Sequence, residues 1–170
     1  GRHPDRFMSI PDPLSPAGRT PAAGGLEELW RPGEAPLVDA LLELMARLDL
    51  PFAVKDPASG QYRYANARMA TLLGTTPEAL VGTADAQWLE ASQWPALRTA
   101  ENAAMAMPRG ALTEHKLDIG GARREFGVAR FALRGEDGAA LALCSLWLEQ
   151  TAQRQAEAKL QLALAQLEQQ

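Results

Sequence analysis

From residue 112 the apolar side chains stop recurring every three or four positions and begin to alternate. The stretch to residue 148 falls into three consecutive runs, broken by Gly120-Gly121 and by Glu136-Asp137-Gly138. A period of two belongs to strands and short glycine-rich breaks belong to hairpins, so this stretch predicts three antiparallel strands in succession. In the first, Thr113, His115, Leu117 and Ile119 share one side, and Leu112, Glu114, Lys116 and Asp118 share the other. The last, residues 139–148, is apolar at nearly every position, which predicts cover on both faces. Internal helices supply one cover; the segment 37–48 or a second subunit is the candidate for the other.

Upstream the signals are mostly helical. Pro36 suits the first turn of an amphipathic helix over 36–49 carrying Leu37, Leu41, Leu44 and Leu48 on one stripe, with Pro51 to stop it. Phe52 to Lys55 and Tyr62 to Ala65 read as a hairpin turned at Asp56, Pro57, Ser59 and Gly60. Asn66 is placed to cap a short helix that Gly74 ends. Thr75 and Glu78 have capping-box spacing for another, which Gly82 ends. Ser92 is placed to cap a longer helix with Pro95 in its first turn and Trp94, Leu97, Ala104 and Met105 on one face. Residues 1–35 hold six prolines and five glycines and no sustained apolar period, as a linker or tail does; within them residues 26–30 can form one turn, with Trp30 packed on the domain.

A chain of 170 residues has room for one domain with extensions. The formal net charge of -4 is mild and the Lys and Arg residues are scattered, which argues against a nucleic-acid partner. With Cys144 as the single cysteine, no internal disulfide forms and a reducing, cytoplasmic setting is expected. The longest apolar run is far below the roughly 20 residues of a membrane span. A start at Gly1 and an end inside a helical pattern read as a piece of a longer protein, so a membrane anchor in the parent stays open.

Phe52-Ala-Val-Lys-Asp-Pro57, the turn at Gly60, Tyr62-Arg-Tyr-Ala-Asn66, Leu72-Leu-Gly74 and Thr76-Pro-Glu-Ala-Leu-Val-Gly82 together resemble the first half of a PAS domain. Gly121-Ala-Arg-Arg-Glu-Phe126, Phe131-Ala-Leu-Arg134 and Glu136-Asp-Gly138 resemble its paired strands. Glu149-Gln-Thr151 stands where the family has Asp-x-Thr before its output helix, with a longer carboxylate in the polar link. The resemblance implies an α+β fold over 50–149: a five-stranded antiparallel sheet with short helices on one face, the amphipathic helix before it and a coiled-coil signalling helix over 150–170 after it. It also implies a sensory role without catalysis in this piece.

The residues agree with the last point. A hydrolase triad needs a His positioned by an acid beside a nucleophile, and His3 and His115 lie in no such motif. No phosphate-binding glycine loop occurs. Flavin photochemistry through a cysteine is not supported, because the stretch after Gly82 has none; His-ligated haem is not supported either, because the helix after Ser92 has no His. The cofactor is therefore unknown.

Candidates for a ligand pocket are Met69, Asp85, Trp88, Trp94, His115, Arg124 and Arg130. An inward His115 can meet a small polar ligand or sit half-buried and hydrogen-bonded; Arg124 and Arg130 can clamp a carboxylate or form salt bridges. By family analogy Asp85 and Trp88 border the ligand cleft, though a backbone cap for Asp85 and a core filler for Trp88 are the readings placed first. Met69 and Trp94 suit core or a pocket wall, and Cys144 suits an inert buried thiol or a redox sensor. Leu160, Leu164 and Leu167 repeat at alternating spacings of four and three among Gln and Glu, the pattern of a coiled-coil seam; folding back on the domain is the other reading.

These features predict a sensory and dimerisation module of a histidine-kinase or diguanylate-cyclase type protein. Trp147, Glu149 and Thr151 would pass ligand or partner binding to the trailing helix. Leu37, Leu41, Leu44, Leu48, Leu160, Leu164 and Leu167 would form the seam of a homodimer. A ligand-free interaction scaffold is the alternative.

Overall fold

The computed structural model describes residues 26–169. Residues 1–25 of the expected tail, His3 among them, and Gln170 lie outside the described residues. In chain order the elements are α1 (Ala35–Arg47), β1 (Phe52–Lys55), β2 (Tyr62–Ala65), α2 (Ala67–Leu72), α3 (Pro77–Leu80), α4 (Trp94–Met105), β3 (Ala111–Ile119), β4 (Ala122–Arg134), β5 (Ala140–Glu149) and α5 (Thr151–Glu168). The strands form one antiparallel sheet in the order β2-β1-β5-β4-β3. The alternating period of residues 112–148 thus becomes a β3-β4-β5 meander, and β5 returns to pair with β1 in the middle of the sheet.

That topology positions the helices. The chain leaves the sheet at one edge, β2, and re-enters at the other, β3, so α2, α3 and α4 must cross one face. Their apolar sides join the inner sides of the strands in one core that includes Tyr62, Met69, Leu80, Leu97, Phe126, Val128 and Trp147. Burying such side chains contributes roughly 1.5–3 kcal/mol each. Phe126 and Trp147 meet edge to face with ring centroids 5.3 Å apart. Among the described residues no helix is long and apolar enough to cross a membrane.

The local signals act largely as their chemistry dictates. Asn66 Oδ1 accepts from the Met69 amide at 2.9 Å and caps α2, while its Nδ2 donates to the Leu50 carbonyl at 2.7 Å. Gly74 ends that helix in the left-handed region at φ 77°. Three expectations are corrected. The cap of α3 is Thr76, whose Oγ1 accepts from the Ala79 amide, and not Thr75. Helix α4 has Gln93 rather than Ser92 at its cap, and the Gln93 side chain instead exchanges two hydrogen bonds with the backbone of Asp118 on β3. Helix α1 ends before Pro51 can act, because Asp49 turns left-handed at φ 53°.

The outer face of the sheet is covered differently from the expectation. Leu26, 3% exposed, packs in a cluster with Val54 and Ala142, and Leu29 and Trp30, from and just after the turn Glu27–Leu29, pack against that cluster as do Phe52, Tyr64, Leu133 and Cys144. The stripe Leu37, Leu41, Leu44 and Leu48 does not supply the cover, since each of these residues is more than half exposed. At Gly110 a close approach needs glycine: φ is +70° and a Cβ would lie 2.0 Å from the Arg130 carbonyl oxygen.

Candidate functional site

The centre of the inner face is ionic. Lys55 is the inward neighbour of Ala53 on β1, and its Nζ lies 2.6 Å from Asp85 Oδ2 and 3.0 Å from Glu101 Oε2. Tyr62 donates its hydroxyl to Asp85 Oδ1 at 2.5 Å, and the Lys55 ammonium sits 4.5 Å from the Tyr62 ring centroid. Burial, reinforced by the Asp85 charge, pushes the Tyr62 phenol well above its ordinary range, so it stays protonated and donates. Lys55, Asp85, Glu101 and Arg130 are all at least nine-tenths buried, two cations against two anions. Such groups persist in a core only when they compensate one another.

Arg130 extends this network toward the β3 edge. Its Nη1 donates to Thr113 Oγ1 at 2.7 Å, and both Nη atoms approach His115 Nε2 at 3.3 Å. Thr113 Oγ1 lies 2.8 Å from the same nitrogen. These donors require Nε2 to be the acceptor, so the proton of the neutral ring is on Nδ1. Burial, then the Arg130 charge, push His115 down to about 4, which keeps it neutral at physiological pH. Burial also lowers Arg130 from its ordinary value. From the α4 side, Arg98 Nη2 donates to the Pro57 and Ala58 carbonyls at 2.8 and 2.9 Å, tying the helix to the β1–β2 turn.

A second concavity opens at the end of the sheet where β3 turns into β4. It has a volume of about 510 Å³ and lies between Leu72, Leu73, Trp88, Leu89, Ile119 and Arg124. The Trp88 indole N–H donates to Thr83 Oγ1 at 2.7 Å, which fixes that wall. Arg124 belongs at once to this groove and to the junction with α5. Its Nε and Nη2 donate to the two oxygens of Glu149 at 2.9 and 2.5 Å, a bidentate pair, and its Cζ sits 5.3 Å from the Phe126 ring centroid. That pair holds the Glu149 carboxyl below its ordinary 4.5 and raises Arg124.

Two residues further on, Thr151 Oγ1 accepts from the Glu125 amide at 2.6 Å, and the Gln150 amide donates to the Glu125 carbonyl at 2.8 Å. Arg154 reaches Glu114 at 2.5 Å and Glu125 at 3.3 Å. The first turn of α5 is therefore bolted to β3 and β4, and the longer Glu149 carboxylate spans to Arg124. Beyond that turn no residue of α5 is buried, and Leu160, Leu164 and Leu167 are 61, 52 and 65% exposed. The described chain does not fold this helix back on its own domain.

The seven candidate pocket residues fall into three places. Asp85, His115 and Arg130 belong to the inner ionic network; Trp88 and Arg124 wall the groove; Met69 is fully buried core and Trp94 packs partly buried against that core. Sequence reasoning missed Lys55, Tyr62 and Glu101. Glu101 carried a readable signal: it stands four residues after Leu97 and three before Ala104, on the buried stripe of α4. Lys55 shares strand parity with Ala53 in the same way. Cys144 lies half-buried on the outer face, where burial pushes its thiol up to about 11. Among the described residues no group of three or more His, Cys, Asp and Glu could hold a metal ion.

A family model described as PAS fold matches residues 45–155. The chain belongs to the PAS-fold family. Comparison with curated proteins by sequence returns no match. Among solved structures it is similar to a Vibrio cholerae VqmA dimer studied in the absence of its target DNA, at 15% identity and TM-score 0.58, over 67% of this chain and 52% of that one. It thus spans about half the length of that VqmA chain. It is also similar to a sensory box histidine kinase/response regulator from Burkholderia thailandensis, at 12% identity and TM-score 0.55, over 76% and 98%. The PAS domain of Bordetella pertussis BvgS matches at 17% identity and TM-score 0.54, over 75% and 98%. At these identities the likeness is one of fold.

Proposed function

We propose that this PAS-family chain is the sensory and dimerisation module of a cytoplasmic signal-transduction protein of histidine-kinase or diguanylate-cyclase type. Binding of a small molecule or partner at the inner face and α4 would shift the packing of β4 and β5 around Trp147. Glu149 and Thr151 then pass the shift to α5. The observation that carries this reading is the junction: Arg124 with Glu149, and Glu125 with Thr151, tie the last strands to the root of a helix that is otherwise exposed. A coupled element of this kind needs differential affinity of the ligand for two arrangements. The leucine stripes of α1 and α5, each open to solvent, supply the seam of a homodimer.

Native mass spectrometry of the purified chain tests this, because it reports bound small molecules and subunit number together. A dimer carrying a ligand supports the reading. A ligand-free monomer at all working concentrations removes it. One observation favours a second reading, a ligand-free interaction scaffold: Lys55, Asp85, Glu101 and Tyr62 already satisfy one another. A dimer that retains no small molecule, and binds none offered, supports that alternative.

A further inference from the structure

Arg124 makes two different uses of its edges. Nε and Nη2, the side edge of the guanidinium, hold Glu149. The hydrogen bonds of Arg124 among the described residues run from Nε and Nη2 and none from Nη1, and the residue walls the groove beside Leu72, Leu73, Leu89 and Ile119. A planar guanidinium accepts a second carboxylate on its end edge without releasing the first. The groove is large enough for a small organic ligand, whose sites commonly measure about 300–1,000 Å³ with apolar walls and a few directed polar groups.

We propose that this groove is a second ligand site, distinct from the ionic inner face, for a small monocarboxylate with an apolar body. The carboxylate would lie on the free end edge of Arg124 and the body against Leu72, Leu89 and Ile119, with Trp88 closing one side. Charge limits the class. Glu90 and Asp118 also line the groove, and although Asp118 is paired with Arg123 at 3.3 Å, both disfavour a dianion. A phosphate or dicarboxylate is therefore rejected where a single carboxylate is held. Occupancy would brace the Arg124–Glu149 pair at the root of α5. Only that consequence rests on the relay reading above; the binding itself does not.

The test is amide NMR of the labelled chain titrated with phenylacetate, phenylacetamide and inorganic phosphate. Phenylacetate is expected to shift Gly74, Gly120, Gly121 and the Arg124 Nε–H signal with a Kd on the order of 1 mM. Phenylacetamide and phosphate are expected to leave them in place. Thr71→Trp, at an exposed wall position, should abolish the response while the spectrum of the fold is kept. Arg124→Lys, which keeps the charge and loses the planar fork, should weaken it about tenfold or more. Equal response to acid and amide, or shifts confined to Lys55, His115 and Arg130, or no shift at tens of millimolar, overturns the proposal. Groove shifts with a silent α5 leave the site standing and remove its link to the relay.

Discussion

The two faces of the sheet answer the same problem of burial in opposite ways. The inner face carries the helices α2, α3 and α4, yet its middle is built from Lys55, Asp85, Glu101 and Arg130. The outer face is largely apolar, yet away from Leu26–Trp30 it stays open: Leu112, Phe131 and Leu148 are 73, 49 and 55% exposed, and a concavity of about 480 Å³ lies between Met45, Phe52 and Phe131. Charges sit inside because fixed partners meet them there. Apolar groups remain outside where a second subunit is expected to meet them. Internal fold energy is therefore concentrated on one face, and the other is the face the proposed assembly would use.

The sharpest way to break this contrast is Lys55→Met. Removing one partner leaves Asp85 and Glu101 buried with less compensation, at a cost of about 3–5 kcal/mol. Thermal unfolding should then fall by roughly 10 °C or more. A shift of only a degree or two would mean that the network is wet and the inner face not distinctive.

The pH dependence of stability is the next test. His115 protonates in the folded chain near 4 and in the unfolded chain near 6.5, so between those values the unfolded chain holds the extra proton. Stability should fall as pH drops from 6.5 to 4 and take no further loss from this residue below 4. Allowing for its half-exposed position, the change is about 1–2 kcal/mol, and His115→Asn should flatten the urea-denaturation profile across that window.

Glu149→Gln tests the junction between the faces. The folded carboxyl titrates below 4.5, so its contribution is present above 4.5 and is lost as pH falls below it. For a pair this accessible the loss is about 0.5–1 kcal/mol, read as faster hydrogen exchange in residues 151–158 and unchanged exchange in β4. The smallest effect on the fold should come from Leu44→Glu on the open α1 stripe, within about 0.5 kcal/mol. Its effect on assembly should be the reverse, with light scattering showing a shift from dimer to monomer. A large loss of monomer stability instead would place α1 with the inner face.

Much of this contrast was legible before folding because it is local. Asn66 with Gly74, Pro77 with Gly82, and the alternation of residues 112–148 depend on neighbours a few positions away, and they mark α2, α3 and the meander. The leucine stripes of α1 and α5 are periodic and equally readable. What could not be read were meetings across long stretches of chain: Lys55 with Asp85 and Glu101, Gln93 with Asp118, Leu26 with Ala142. Tyr62 and Tyr64 have equal parity in sequence, yet they join opposite cores, because the pairing of β1 with β2 slips between Val54 and Lys55.

By itself the amino-acid order determined which segments are helix or strand and where most of them stop, since propensity, capping and periodicity act within a few residues; its junction motifs carried the resemblance to the PAS family, whose model matches residues 45–155. Only the tertiary structure decided which charged side chains are inward partners, which segment covers the outer face, and that Arg124 serves the groove and Glu149 together. Those outcomes depend on distances between residues far apart along the chain, and no local preference encodes them.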